Sequence, residues 1–382
     1  MKFRKVAPAV LIAAVIVTIA TVSIVSNLIS HRMAASFEKG QFELIGRIVQ
    51  SKLIDAEGKA IAAAEIIAAM PEVKKAFAAR NRDELLGATR EAYRVQREKY
   101  GISQAQFHLA PAVSFLRVHN PPVFGEDLSH YRKIVAEVNQ SSAIRKGVEV
   151  TTSGLGIFGT LPMTDGAGKA TGSFEVALEF GPLLDELKKT YGFELALFID
   201  EKTLRETATS LKEREIFSEQ NRLGPYVTFR STHPELMRAL VADADVAIPE
   251  ESHYIRKAND LPYGVLLQPI YNYAKKQIGV MAIARDFSAT RSADGQAAIW
   301  QTLTGLLAIV LLAGVIIIVI RGMLLRPMTV LGNRVAALAD GVQGHEVPAP
   351  ESSCEEMREL ASHCERLAQR ATNAAAQDRG AS

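Results

Sequence analysis

The chain has 382 residues, 48% of them hydrophobic, and its 44 lysines and arginines nearly balance 42 aspartates and glutamates, for a net charge of +2. That balance excludes the basic footprint of a nucleic-acid-binding protein. Both cysteines, Cys354 and Cys364, lie near the C-terminus, so residues 31–298 have no disulfide framework and depend on an apolar core.

Two stretches free of charge organise the chain. Val6–Ser30 runs 25 residues and Ile299–Ile320 runs 22. At about 1.5 Å per helical residue, each is long enough to cross a hydrocarbon core of roughly 30 Å. Lys2, Arg4 and Lys5 precede the first, and Arg321 and Arg326 follow the second. Positive flanks stay cytoplasmic, so the expectation is a two-span protein of the cell inner membrane with residues 31–298 outside. The apolar run of 6–30 exceeds the h-region of a cleaved signal, which favours a retained anchor.

Between the spans, Ala34–Met70 reads as one long helix, with apolar residues among many alanines and no proline before Pro71. A second helix is expected over Asp83–Tyr100, stopped by Gly101. Gln104–Leu109 and Ala112–Val118 read as strands, Asp127–Asn139 as a helix, and Val148–Thr152, Gly156–Met163 and Gly172–Phe180 as further strands, the last two joined by a turn at 165–168. A reduced version follows, with strands at Glu194–Ile199 and Tyr226–Arg230, a helix at Pro234–Ala242, and strands at His253–Lys257, Tyr263–Tyr271 and Gln277–Arg285. The fold class is therefore α+β, two antiparallel-sheet modules in series on a long N-terminal helix. The expected boundaries are 31–185 and 186–298 for the modules, 299–320 for the second span, 321–371 for a helical tail and 372–382 for a disordered end.

The chemistry concentrates after Pro111. Strand alternation places Phe115, Arg117 and His119 on one face. An aromatic ring with cationic and polar groups suits an anion on a carbon skeleton, and arginine offers a planar fork to a carboxylate. Arg132 follows Tyr131 on the next helix, within reach of the same sheet. Glu175, on a later strand, either pairs with an arginine or accepts from a ligand amine. A purely structural alternative stays open, with Arg117 and Glu175 forming an internal ion pair and Arg132 capping structure. His108 and His119 read as surface or packing residues, since no third ligand stands at a metal-binding spacing. Gly154-Leu155-Gly156-Ile157-Phe158-Gly159 has the spacing of a dinucleotide fingerprint, but it leads into a strand instead of opening a helix.

The run from Phe107 to Pro121, with Phe124-Gly125-Glu126-Asp127-Leu128, Arg132, Gly154–Ile157, Pro162 and Gly172–Val176, resembles the double Cache family of extracytoplasmic sensor domains. The resemblance covers roughly 35–290 and is stronger in the first module. It implies two PAS-like modules on one long helix, with a small ligand bound in the membrane-distal one. The ligand-binding candidates are then Phe107, Phe115, Arg117, His119, Tyr131, Arg132 and Glu175. The amino-acid-binding members use a tryptophan signature, and the single tryptophan here, Trp300, lies in a span.

In the tail, Met328, Leu331, Val335 and Leu338 form an apolar seam at spacings of three and four. Met357, Leu360, Cys364 and Leu367 form a second. Two short seams joined by an extended connector resemble a HAMP domain, which implies a parallel homodimer. Glu355–Leu360 carries the likeness, with Arg358 where glycine is usual.

The expected function is a transmembrane receptor that takes a small ligand, an organic anion, and signals to a separate cytoplasmic protein, since no kinase, cyclase or methyl-accepting hairpin follows. No catalytic residue, metal or cofactor is expected, because residues 31–298 hold no G-x-S-x-G, H-E-x-x-H or CxxC. The alternative is a non-sensing membrane scaffold or a degenerate chemoreceptor fragment.

Overall fold

The computed structural model describes residues 3–165, 168–211 and 216–339, and in the tail 355, 358–360, 362–367 and 370. Ser36–Arg291 forms one body, and Met1–Ala35 with Ser292–Ser382 another.

Helix α1 runs Phe3–Ala68 without interruption, so the first apolar stretch and the long helix expected after it are one element. Pro71 opens a short α2 (Pro71–Ala78), which the sequence reading did not separate. Proline is favoured there because its missing N–H would be unsatisfied in any first turn. Helix α3 (Arg82–Tyr100) is capped at Asn81, whose side chain accepts from the Glu84 N–H, and ends at Gly101 with φ 73°.

Five antiparallel strands follow: β1 (Ile102–Leu109), β2 (Val113–Arg117), β3 (Arg145–Thr151), β4 (Gly154–Thr164) and β5 (Ala170–Glu179), in sheet order β2-β1-β5-β4-β3. One face is apolar. Phe107, Leu116, Leu161, Phe174 and Val176 pack against Ala60, Ala64 and Ile67 of α1, Phe77 of α2 and Leu85 of α3. The approach of α1 is close enough to require a glycine on β4. A Cβ at Gly159 would stand 2.5 Å from the Ile61 backbone nitrogen. This gives the last glycine of 154–159 a packing role.

Helix α4 (Lys133–Ser141) covers the opposite face through Ile134 and Val135, which share a cluster with Phe158 of β4 and Ala177 of β5. The helix expected from Asp127 starts six residues later because the chain first pairs back onto β2. Ser114 N–H donates to Glu126 O at 2.9 Å, and Gly125 N–H to Ser114 O at 2.8 Å.

The second module begins with α5 (Phe180–Tyr191), a helix the sequence reading missed although Phe180, Leu183, Leu184 and Leu187 show helical spacing. Then come β6 (Glu194–Asp200), α6 (Glu201–Thr207), β7 (Arg222–Leu223), β8 (Tyr226–Ser231), α7 (Pro234–Leu240), β9 (Ser252–Ala258), β10 (Leu261–Tyr271) and β11 (Gln277–Asp286). The strands form a six-stranded sheet in the order β7-β8-β6-β11-β10-β9. Its one face shares a core with α1 and α5 through Phe42, Ile45, Leu184, Leu197 and Ile283, and its other face buries α7.

Helix α8 (Ser288–Val319) holds the second apolar stretch. Among the described residues, two helical stretches are long and apolar enough to cross a membrane, Pro8–Ala68 and Ile299–Asn333. A widened π turn over Ile320–Leu325 joins α8 to α9 (Arg326–Ala339). Pro327 has no N–H to donate back into that turn. The first seam of the tail, Met328 to Leu338, falls on α9. The connector from 340 to 354 and Met357 of the second seam lie outside the described residues, while Leu360, Cys364 and Leu367 stand on helical ones.

Candidate functional site

The face of the first sheet under α4 is polar. Cross-strand register puts Arg117, Gln106, Glu175 and Thr160 in one transverse row, and Ser114, His108 and Ser173 in the next. All seven are buried. Arg132, just before α4, reaches into the same layer and is also buried.

Arg132 is the hub. Its Nη1 and Nη2 donate to the two oxygens of Glu175 at 2.9 and 2.6 Å, and its Nε donates to Glu149 at 2.8 Å. The other Glu149 oxygen accepts from the Ile134 N–H at 3.2 Å, which ties the first turn of α4 to β3. The guanidinium lies 4.4 Å over the Phe158 ring. A bidentate fork with its Nε also engaged is the geometry that best repays burying an arginine.

His108 completes the cluster. Its Nε2 lies 3.5 Å from Glu175 without reaching hydrogen-bond geometry, and its Nδ1 lies 3.5 Å from the Ser173 hydroxyl. Burial pushes its imidazole pKa down more strongly than Glu175 pulls it up, so the ring is neutral at pH 7. Burial also opposes charge on Glu175, but Arg132 and His108 outweigh it and hold the carboxyl down at about 2. On Glu149 burial outweighs Arg132, and its carboxyl is pushed up.

Each shift sets the sign with which its group ties stability to pH. With His108 depressed below the ordinary imidazole value of 6.5, stability present above pH 6.5 falls as the pH drops toward the folded-state value. The Glu175 contribution is present above pH 4.5 and is lost as the pH falls toward about 2. Glu149 has the opposite sign: its contribution is present below pH 4.5 and is lost as the pH rises through its raised value. Thermal unfolding of wild type is therefore expected at a lower midpoint at pH 5.5 than at pH 7. His119, also pushed below the ordinary imidazole value by burial, acts in the same direction, so His108→Gln should shrink that difference without abolishing it, and an unchanged slope in the variant would remove His108 as a source.

The sequence-derived candidates divide. Arg117, Arg132 and Glu175 meet on the polar face, and Tyr131 is half-buried within electrostatic reach of both arginines, Glu126 and Glu175. Phe107 does not join them. It stacks on Phe174 at 4.2 Å and lies 5.4 Å from Phe77, in the core on the other face. Phe115 also leaves the predicted face. The register of β1 against β2 shifts between Phe107 and His108, opposite Leu116 and Ser114, and leaves Phe115 as the extra residue of a bulge. It packs edge-on to Phe77 at 5.6 Å. His119 lies beyond β2 and meets the Ala105 backbone through Nδ1. The suggested Arg117–Glu175 pair is not formed. Arg132 takes Glu175, and Arg117 pairs with Glu126, its Nη1 at 2.9 Å from both carboxylate oxygens. Glu149 was missed. Its signal was a lone carboxylate between two valines in a strand, a position where an ionisable side chain needs a partner.

Solved structures similar to this chain include the ligand-binding domain of the Campylobacter jejuni chemoreceptor Tlp3 in complex with L-valine, at 15% identity and a TM-score of 0.39, covering 67% of this chain and 95% of that one. The periplasmic domain of Vibrio cholerae LuxQ matches at 9% identity and a TM-score of 0.39, over 64% of this chain and 98% of that one. The sensor domain of the V. cholerae histidine kinase DctB matches at 9% and 0.39, over 66% and 98%. No curated protein sequence matches significantly. Residues 41–290, which hold both sheets, match the double sensory domain of two-component sensor kinases, and the chain belongs to that family.

Proposed function

We propose that this chain is a receptor of the inner membrane that binds a small organic anion on the outside, at the polar sheet face of its first module. It passes the resulting change through α8 and a HAMP-like tail to a cytoplasmic signalling protein. One observation carries the reading. The polar layer ends at Arg117, on the edge strand, and what covers that edge is the exposed loop at 122–127. A cation buried in the sheet but bordered by an exposed loop suits a ligand carboxylate better than a closed core does. Binding shifts a two-state equilibrium only by the difference in affinity between the states, so a few kcal/mol suffices.

The test is a thermal-shift screen of the full chain in detergent against small carboxylates and amino acids. A ligand at one hundred times its Kd adds about 2.7 kcal/mol of stability. Arg117→Ala is expected to weaken that ligand by roughly 1.5–3 kcal/mol, the worth of a hydrogen bond to a charged group. A screen in which nothing saturates sinks the receptor reading, and a folded variant with wild-type affinity takes Arg117 out of the site.

The receptor acts as a parallel homodimer. Phe37, Gly40, Leu44, Arg47, Ser51, Ile54 and Gly58 of α1 follow spacings of three and four, and all are exposed. Such a stripe is a coiled-coil seam, with small residues permitting close approach. With Cys354 and Cys364 replaced by serine, Leu44→Cys and Ile54→Cys are expected to cross-link between chains in membranes far more than Gln50→Cys. Equal cross-linking at all three sites would defeat the seam.

A further inference from the structure

The two buried arginines of the first module differ in one respect. Both partners of Arg132 are sealed, with Glu149 and Glu175 side chains 3% and 1% exposed. Arg117 is nearly as buried, at 8%, but the side chain of its partner Glu126 is 43% exposed. The rest of the contact is backbone: Arg117 Nη1 donates to Val123 O at 3.0 Å.

The geometry points to Glu126 as a built-in stand-in for the ligand: its carboxylate occupies Arg117 in the empty receptor, and a ligand carboxylate must displace it to bind. This rests on the receptor reading given above and names the residue that sets its affinity.

The local structure allows the exchange at small cost. The backbone of Glu126 is fixed, since its carbonyl accepts from the Ser114 N–H and Asp127 bridges to Val113. Vacating Arg117 therefore requires only that the Glu126 side chain turn outward into water. Arg117 tolerates no empty interval, because an unpaired guanidinium at that depth is strongly disfavoured. One carboxylate leaves as another arrives, and the charge of the layer is conserved. Burial alone would raise the Glu126 carboxyl, but hydrogen bonds from backbone, Arg117 and Ser114 outweigh it, so the competitor is ionised at neutral pH. The bordering loop is pinned without Glu126. Arg82 donates to Phe115 O at 2.9 Å and Pro121 O at 2.8 Å, and lies over the Phe124 ring. Removing the Glu126 charge should thus free Arg117 without unfolding the loop.

The probe is acetate, a carboxylate with no further recognition groups, titrated against the thermal unfolding midpoint of the full-length protein in detergent at constant ionic strength. In Glu126→Gln, acetate is expected to give saturable stabilisation with a half-point at least about tenfold below that of wild type, the order of a charged hydrogen bond lost from the competitor. Adding Arg117→Gln should abolish the response. Should Glu126→Gln fail to fold, Glu126→Asp, which holds the charge one methylene back from Arg117, carries the same comparison. Equal half-points in variant and wild type, or a response that survives in the double variant, overturns the proposal. Failure of the receptor reading looks different: no metabolite stabilises wild type, whatever acetate does in the variant. Conversely, a metabolite bound by Glu126→Gln no more tightly than by wild type removes the stand-in and leaves the receptor.

Discussion

Arg132→Ala is expected to lower the stability of the Ser36–Arg291 body by about 3–5 kcal/mol, the usual cost of removing one partner from a buried ion pair. The substitution leaves Glu175, 1% exposed, with only the Thr160 hydroxyl at 3.4 Å as a donor, and leaves Glu149 with the Ile134 N–H. Two carboxyls without a cation must then take up protons or draw in water. Three further losses follow from the same change: the bidentate fork to Glu175, the Nε bond that links β3 to the start of α4, and the guanidinium over Phe158. Arg132→Lys should recover only part of the loss, since an ammonium cannot serve both carboxylates with fork geometry. Urea unfolding followed by circular dichroism measures the difference. A loss below about 1 kcal/mol for Arg132→Ala would show that the hub is not structural. Replacing Arg132 together with Glu149 and Glu175 by apolar residues of similar volume is expected to be far milder than the single change, because the cost lies in the stranded charges.

Phe107→Ala is expected to cost a similar amount, about 3–5 kcal/mol, for a different reason. Phe107 is fully buried between Phe174 and Phe77, and truncation opens a cavity among rings that α1, α2 and α3 hold in place. The result separates core from site. As a ligand-contacting aromatic, Phe107 would lose binding when truncated while the protein stayed stable. In the core, it loses stability, and any ligand found for wild type should bind the surviving folded fraction of Phe107→Ala with unchanged affinity. A stable variant with weakened binding would return Phe107 to the site.

Both expectations turn on features that differ in how far the sequence reveals them. Chain-local physics determined the elements. Uninterrupted apolar runs of 25 and 22 residues allow little besides helices of spanning length. Asn81 and Gly101 mark the ends of α3 because capping is settled within a few residues. The α+β class, the order of most strands and the hairpin joining β10 to β11 came from the same short-range signals. Where the sequence reading fell short locally, as at α5, the periodicity was present and lay beside a strand of similar apolar texture.

The site was decided at longer range. That Arg117, Arg132 and Glu175 belong to one polar layer was legible, because ionisable residues inside otherwise apolar strands must find partners. Which arginine meets which carboxylate was not. Arg132 and Glu175 are 43 positions apart, and Arg132 and Glu149 are 17 apart, so their pairing depends on how β3, β4 and β5 lie side by side. The bulge at Phe115 shows how sharply tertiary structure can overrule alternation. One extra residue on β2 turns Phe115 to the helix side and keeps Arg117 on the polar side, a change that a strict period of two cannot express. By itself, the sequence determined the kinds of element and the chemical character of the layer, since both follow from short-range geometry and the cost of burying charge. Only the tertiary structure decided the pairings, because register and sheet order bring together residues whose separation along the chain carries no signal.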